Sequence, residues 1–317
     1  MKKLYCLQTN DVETHSIFFN KLLDVTGEKV CLDILPRVLD MYDQYNVKST
    51  FFFTGYLAKL MPNAVKNVSD RGHEIACHGM YHDIDNAFDV LSLKSQISQL
   101  ALAKNILQDA CGEEVISFRA PALRVNKDTP KALQETGFLI DSSISSQRMD
   151  MFLSFGSKDK MQRMFTPRVP YITDKDNLMK KGGDGLVEVP LTSLVLPLVG
   201  STMRAFPKTN KFLRTILHFE AKMNNKPIVY YMHPNEFLNE DDGTNISSRR
   251  ASNYIKYLLA DVLRRKLKIR NLGEPAFKLY EEQLKYYQKK GYEFITTKEL
   301  CLRNGLLASV KKNEKVN

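Results

Sequence analysis

The stretch Ile75-Ala76-Cys77-His78-Gly79-Met80-Tyr81-His82-Asp83 sets two histidines four positions apart directly after a short apolar run. On one turn of helix, or in a loop of helical pitch, residues i and i+4 share a face, so His78 and His82 can turn imidazole nitrogens to one metal ion. Such pairs also arise by chance, and the spacing alone leaves both readings open. Weight comes from the company they keep. Asp11 and Glu13 follow the apolar run Leu4 to Thr9, Arg119 and Pro121 stand in Phe-Arg-Ala-Pro, Asp141 opens Asp-Ser-Ser, and His233 lies in Tyr-Met-His-Pro-Asn-Glu-Phe.

Each of these residues ends a short apolar segment. Val115-Ile116-Ser117-Phe118 leads to Arg119, Phe138-Leu139-Ile140 to Asp141, and Pro227 through Met232 to His233. Between the segments, apolar residues recur at helical spacing over Cys31 to Tyr45, Ala58 to Asp70 and Ser92 to Ala110, the last closed by Gly112 as a C-cap. Lys48 to Gly55, with three consecutive phenylalanines, reads as a strand covered on both faces. Strands alternating with helices predict an α/β fold built on a parallel sheet or barrel, which delivers strand-end residues to one mouth. Asp11 and Glu13, two apart in extended chain, would point the same way.

In this order the segments resemble the motifs of the NodB-type polysaccharide deacetylases, metal-dependent hydrolases that remove N- or O-acyl groups from sugars. The resemblance is carried by Thr9-Asn10-Asp11-Val12-Glu13, His78 with His82, Arg119 with Pro121, Asp141-Ser142-Ser143, and His233, and it spans about Leu4 to Leu300. It implies a distorted (β/α) barrel of about seven parallel strands. It further implies that Asp11 is the general base, that Arg119 fixes it, that His233 protonates the leaving group, and that Asp141 tunes His233. Glu13, His78 and His82 would hold one divalent ion, zinc in first place, with cobalt, nickel or iron(II) admissible. The family usually has Asp where Glu13 stands.

A chain of 317 residues with 43% hydrophobic and 26% charged residues has the composition of a soluble globular protein. We expect a single deacetylase-like barrel domain over 1–303. Residues 142–185 form an insertion near the barrel mouth that could reach substrate through Arg148, Arg163, Arg168 or Tyr171; a merely solvated insertion is the equal alternative. Residues 247–290 form a basic helical elaboration, and the charged tail over 309–317 is expected to be disordered. Leu191 to Phe206, apolar and broken by prolines, reads as core wall or as a surface for a lipid carrier.

The net charge of +10 points to anionic partners, and the absence of any nucleic-acid module or aromatic–basic interleaving argues against nucleic acid. The substrate expected is an acylated sugar or glycan on a lipid or nucleotide carrier, with a peripheral contact to anionic membrane open to the basic stretch. Five cysteines without close pairing suit a reduced compartment, the apolar run after Lys2-Lys3 is too short for a signal peptide, and no segment reaches the length of a membrane helix. We therefore expect a cytoplasmic protein, with a peripheral place at the inner face of the membrane open to it. Other readings are a deformylase or cyclic-amide hydrolase of the same fold, and a catalytically silent glycan- or anion-binding module.

Overall fold

The computed structural model describes residues 3–146, 163–240 and 262–314. Eight strands form the frame: β1 (Leu4–Val12), β2 (Ser49–Phe53), β3 (Glu74–Cys77), β4 (Ser117–Phe118), β5 (Ile140–Asp141), β6 (Val187–Glu188), β7 (Ile228–Met232) and β8 (Tyr292–Phe294). Their order is β7-β1-β2-β3-β4-β5-β6, parallel at every step, and β8 adds to β1 in parallel. The far edges meet where the Thr192 N–H donates to the Val229 carbonyl at 3.0 Å and the Val229 N–H to the Thr192 hydroxyl at 2.9 Å. The sheet thus curls into the distorted barrel that the resemblance implies.

Central position explains the unusual sequence of β1. Its residues Gln8, Thr9 and Asn10 are fully buried, so each polar group needs a partner inside. Thr9 donates to the Tyr230 carbonyl at 3.0 Å, while Asn10 donates to Ser49 at 2.7 Å and accepts from the Tyr42 hydroxyl at 2.9 Å. These bonds fix β1 against β2 and β7, and with it the two acids at its end.

Four longer helices cover the outside: α1 (Leu35–Gln44), α2 (Leu93–Cys111), α3 (Pro207–Asn224) and α4 (Glu274–Lys289). Ser92 caps α2 and Gly112 ends it at φ 74°, as the sequence indicates. The helix expected over Cys31 to Tyr45 starts differently. Pro36 lacks an N–H to continue the ladder, and Leu35 reaches back five residues to the Val30 carbonyl, which makes Val30–Ile34 a wider π turn before α1. The helix expected over Ala58 to Asp70 likewise divides at Met61, because Pro62 disfavours helical backbone before it.

Three expectations change. Within 142–185, Tyr171–Asp174 and Asn177–Lys181 form an antiparallel hairpin that extends the sheet beyond β6. The stretch 247–290 is not solely an elaboration: α4 is a barrel helix whose Tyr280 hydroxyl meets Tyr42 at 2.6 Å and Gln8 at 3.0 Å, with Leu284 and Tyr287 buried. Arg249 and Arg250 lie outside the described residues. The tail after Ser309 continues a helix, Leu306–Glu314, because Leu307 and Val310 bury against Ile116, Leu139 and Val187. The apolar wall is largely core, with Leu191, Leu198, Val199 and Met203 buried. Among the described residues no helix is long and apolar enough to cross a membrane.

Candidate active site

Asp11 and Glu13 leave the end of β1 almost wholly buried. From the end of β4, the Arg119 guanidinium reaches across to Asp11, donating from Nη1 to Oδ1 at 2.7 Å and to Thr9 at 2.9 Å. Its Nε and Nη2 donate to the carbonyl and hydroxyl of Ser142 at 3.0 and 2.9 Å, and its plane lies over the Phe52 ring at 4.1 Å. A fork held at both ends cannot swing away, so one oxygen of Asp11 is fixed. The other, Oδ2, lies 3.8 Å from Nε2 of His78.

His78 follows β3, and its Nδ1 lies 2.8 Å from the Arg119 carbonyl. A carbonyl only accepts, so the proton sits on Nδ1 and the Nε2 lone pair is free to bind. Burial pushes the ring down to about 4, against the pull of Asp11 and Glu13, so it is neutral at physiological pH. Nε2 is buried and has no hydrogen-bond partner. His82 turns its Nε2 to Glu13 Oε2 at 2.9 Å. Burial alone would raise the Glu13 carboxyl, but the surrounding His82, His233 and His78 hold it well below the carboxylate range.

One ligand atom each from Glu13, His78 and His82 lies within 4.8 Å of the others. Metal bonds of about 2.0–2.2 Å span such a set after small side-chain shifts. An orphaned imidazole nitrogen, a depressed carboxylate and two nitrogens for one oxygen suit a borderline cation such as zinc, and these residues fit the group. The pair does not sit on a helix. Gly79 turns the chain at φ 72°, where a Cβ would come within 3.1 Å of Phe88 and 3.2 Å of Pro121, so the two rings face each other across a loop with centroids 5.5 Å apart.

His233 ends β7, and its Nδ1 faces Glu236 Oε1 at 3.3 Å. The second oxygen of Glu236 accepts from Nε of the buried Arg204. Burial would lower the His233 pKa, but the bond to Glu236 and the charges of Glu13, Asp11 and Glu236 outweigh it and hold it up to about 9. Arg204 and His233 in turn hold Glu236 down to about 2 despite its burial.

The role expected of Asp141 falls instead to Glu236. Asp141 accepts from the Ser143 hydroxyl at 2.5 Å and lies beside Glu188 on the neighbouring strand, a buried carboxyl pair directed into the scaffold. Ser143 also accepts from the Ala120 N–H at 2.8 Å, so Asp141 braces the loop that carries Arg119. Asp141 ends a strand, whereas Glu236 lies in the turn Pro234–Phe237 that follows β7. The His-Pro-x-Glu spacing at His233 is the signal that sequence reasoning passed over.

The insertion residues named for substrate are committed elsewhere. Arg163 donates to the Leu123 carbonyl at 2.8 Å, Arg168 forks onto Glu220 at 2.6 and 2.8 Å, and the Tyr171 hydroxyl donates to the Leu178 carbonyl at 2.6 Å. Arg148 lies outside the described residues. His15 is half-buried, its ring centroid 6.3 Å from that of His82, and burial pushes it down to about 4. Beside His82 opens a cavity of about 180 Å³ lined by Thr14, Leu22, Asp24, Tyr56 and Tyr81 among others.

Barrel and site together define a protein with a two-histidine, one-carboxylate centre beside an arginine-held aspartate and a third, charged histidine. Residues 10–140, which carry five of the seven residues singled out in the sequence, match the model of the polysaccharide deacetylase family. The chain is 43% identical over 109 residues to a peptidoglycan-N-acetylglucosamine deacetylase of Bacillus cereus, a match covering 34% of this chain and 38% of that protein. It is 32% identical over 120 residues to the peptidoglycan deacetylase-like protein FGM2 of Gibberella zeae, covering 37% and 34%. It thus spans about a third of the length of these curated relatives. Among solved structures, Puue allantoinase superimposes with a TM-score of 0.62 over 96% of this chain and 90% of its own, at 14% identity, a likeness of fold.

Proposed function

We propose that this protein is a metal-dependent hydrolase that removes an acyl group, in the first place N-acetyl, from an amino sugar of a glycan. The observation that carries the reading is the convergence of Glu13, His78 and His82 on one point beside the Asp11–Arg119 pair. Glu13, His78 and His82 would hold the ion, which when bound supplies Lewis-acid polarisation of the acyl carbonyl and a water of lowered pKa.

The remaining work belongs to the chain's own groups. Arg119 keeps one oxygen of Asp11 occupied, so the free Oδ2 is the one positioned to take a proton from an attacking water. With Nδ1 turned to Glu236, the Nε2 of His233 carries the proton that a departing nitrogen needs, and the raised pKa keeps it loaded at neutral pH. The acid is thus kept loaded by Glu236, and the base is held in place by Arg119.

The cavity beside His82 supports a substrate larger than one sugar. Its volume equals that of about six waters, room for one sugar ring. Tyr56 and Tyr81 stand with ring centroids 6.0 Å apart, and Asp24 accepts from the Tyr56 hydroxyl at 3.0 Å. Aromatic faces suit the C–H face of a pyranose, and a carboxylate suits its hydroxyls. The cavity meets the metal-ready set only at His82, so its occupant is the ring next to the one that loses its acyl group. This favours a glycan over a small cyclic amide. A lipid or nucleotide carrier and a cytoplasmic setting remain part of the reading; the five free, buried cysteines agree with a reducing compartment.

The test is acetate release from N-acetylglucosamine oligomers by zinc-loaded protein, with metal content measured on the same samples. We expect near-stoichiometric zinc and activity in the natural chain, metal lost in His78→Ala, and metal kept but activity lost in Asp11→Asn. Protein that takes up no metal yet still binds the oligomer would replace the enzyme reading with the silent binding module.

A further inference from the structure

Helix α3 is apolar on two opposite faces. Inward, Leu213, Leu217 and Ala221 are buried against the barrel. Outward, Phe212, Ile216, Phe219 and Met223 recur at i, i+4, i+7 and i+11 and are 68%, 37%, 59% and 81% exposed. A helix apolar all round is ordinarily buried all round, and a contiguous exposed apolar stripe marks a surface that something covers.

The stripe is bordered asymmetrically. Along one flank run the exposed lysines Lys208, Lys211 and Lys222, of which Lys211 pairs with Glu282 of α4 at 2.6 Å and Lys208 and Lys222 are the two offered to headgroups. Along the other, Arg168 ties to Glu220 of α3 and to the Ser193 carbonyl, which brings the exposed Val169 and Val195 alongside. Glu220 is the only acid in the helix, and its charge is taken up by Arg168 and Lys226. Apolar side chains beside a row of cations, with no uncompensated anion among them, complement an anionic lipid surface: the apolar groups enter the acyl boundary while lysines meet headgroups.

We propose that the outer face of α3 docks the protein on an anionic bilayer surface. The placement suits the site, because α3 begins just after the short helix Gly200–Ala205, whose Arg204 holds Glu236 behind His233. A membrane seated along α3 therefore lies on the flank of the barrel that carries the histidine, within reach of a glycan anchored in the same surface.

The chain contains no tryptophan, so Phe212→Trp or Phe219→Trp gives a single reporter. With vesicles of phosphatidylcholine and phosphatidylglycerol, the reporter should shift its emission to the blue and be quenched by brominated acyl chains, and the protein should sediment with the vesicles. Vesicles of phosphatidylcholine alone should bind at least about tenfold less. The triple variant Phe212→Ser, Phe219→Ser, Met223→Ser should lose vesicle binding while keeping its thermal unfolding midpoint and its activity on soluble oligomers, because all three side chains point outward. Lys208→Glu with Lys222→Glu should lose the preference for anionic lipid. Natural protein that does not sediment with anionic vesicles, or a triple variant that sediments as well as the natural chain, overturns the proposal. So does a dimer in light scattering that the triple variant dissociates, since the face would then belong to a second copy. Sedimentation, quenching, light scattering and the unfolding midpoint do not depend on catalysis, so a failed deacetylase assay leaves the outcome intact.

Discussion

The carboxylate of Glu236 faces Nδ1 of His233 at 3.3 Å while its other oxygen is held by Arg204, so His233 is oriented from its own strand end. This sets a sign for the pH dependence. A histidine held up to about 9 is protonated below that value and loses its proton as pH rises through it. Glu236→Gln removes the largest supporting interaction, and the alkaline limb of the rate profile should move toward the ordinary histidine value near 6.5. At pH 8 the turnover should drop by about fivefold or more, with little change at pH 6. A limb that stays in place would reduce Glu236 to a structural role.

Arg119 makes a different kind of contribution, since its fully buried guanidinium satisfies Asp11, Thr9 and Ser142 at once. Lysine carries the charge but not the fork. Arg119→Lys should therefore bind metal normally yet lose about a hundredfold in turnover through misplacement of Asp11. Arg119→Ala should go further and cost about 3–5 kcal/mol in urea unfolding, because it leaves a buried carboxylate unpaired. Equal unfolding midpoints for the natural chain and the alanine variant would refute the account.

The cavity beside His82 predicts a dependence on substrate length. Tyr81→Ala and Asp24→Asn should each raise KM for N-acetylglucosamine oligomers by about tenfold. The single sugar, which leaves the cavity empty, should be handled as before. A loss that is the same for the monomer and the oligomers would place these residues in general support of the His82 loop rather than in a subsite.

Why some of this was legible in the sequence and some was not follows from how each residue earns its place. His78, Asp11, Arg119 and His233 each follow an apolar run, with His82 four residues on from His78, and a parallel barrel gathers strand ends by construction, so position along the chain already implied position in space. Glu236 and Arg204 follow no such rule. Arg204 lies in a short helix far from His233 in sequence, and only the seating of Gly200 against Glu236 brings the two together. Asp141 satisfied the strand-end rule and still turned into the scaffold, because the strand beside it presents Glu188 at the same level. The helix breaks at Pro36 and Pro62 were readable from proline chemistry, whereas the apolar periodicity running through them pointed to continuous helices.

The Asp141–Glu188 pair carries a prediction for stability, with the same direction in pH as that of His233. Burial raises the Asp141 carboxyl, and burial together with the charge of Asp141 raises Glu188 well above its usual range. In the unfolded chain both titrate near their ordinary values of about 3.9 and 4.3. The folded state therefore holds protons that the unfolded state gives up. The stability tied to those protons is complete below the unfolded values and is lost as pH rises through the folded ones, at up to about 1.4 kcal/mol per pH unit for each group. Glu188→Gln replaces one acid by a neutral amide that can donate to Asp141, so Asp141 can ionise without facing a second charge. The variant should unfold in urea with a free energy that is flatter between pH 5 and 8 than that of the natural chain, and it should be the more stable of the two at pH 8. Since Asp141 braces Ser143 and through it the Ala120 N–H, the same variant should leave the Arg119 loop, and hence turnover at pH 7, close to unchanged. If the pH slope of unfolding is the same in both proteins, the pair does not share a proton and the loop is braced by Ser143 alone.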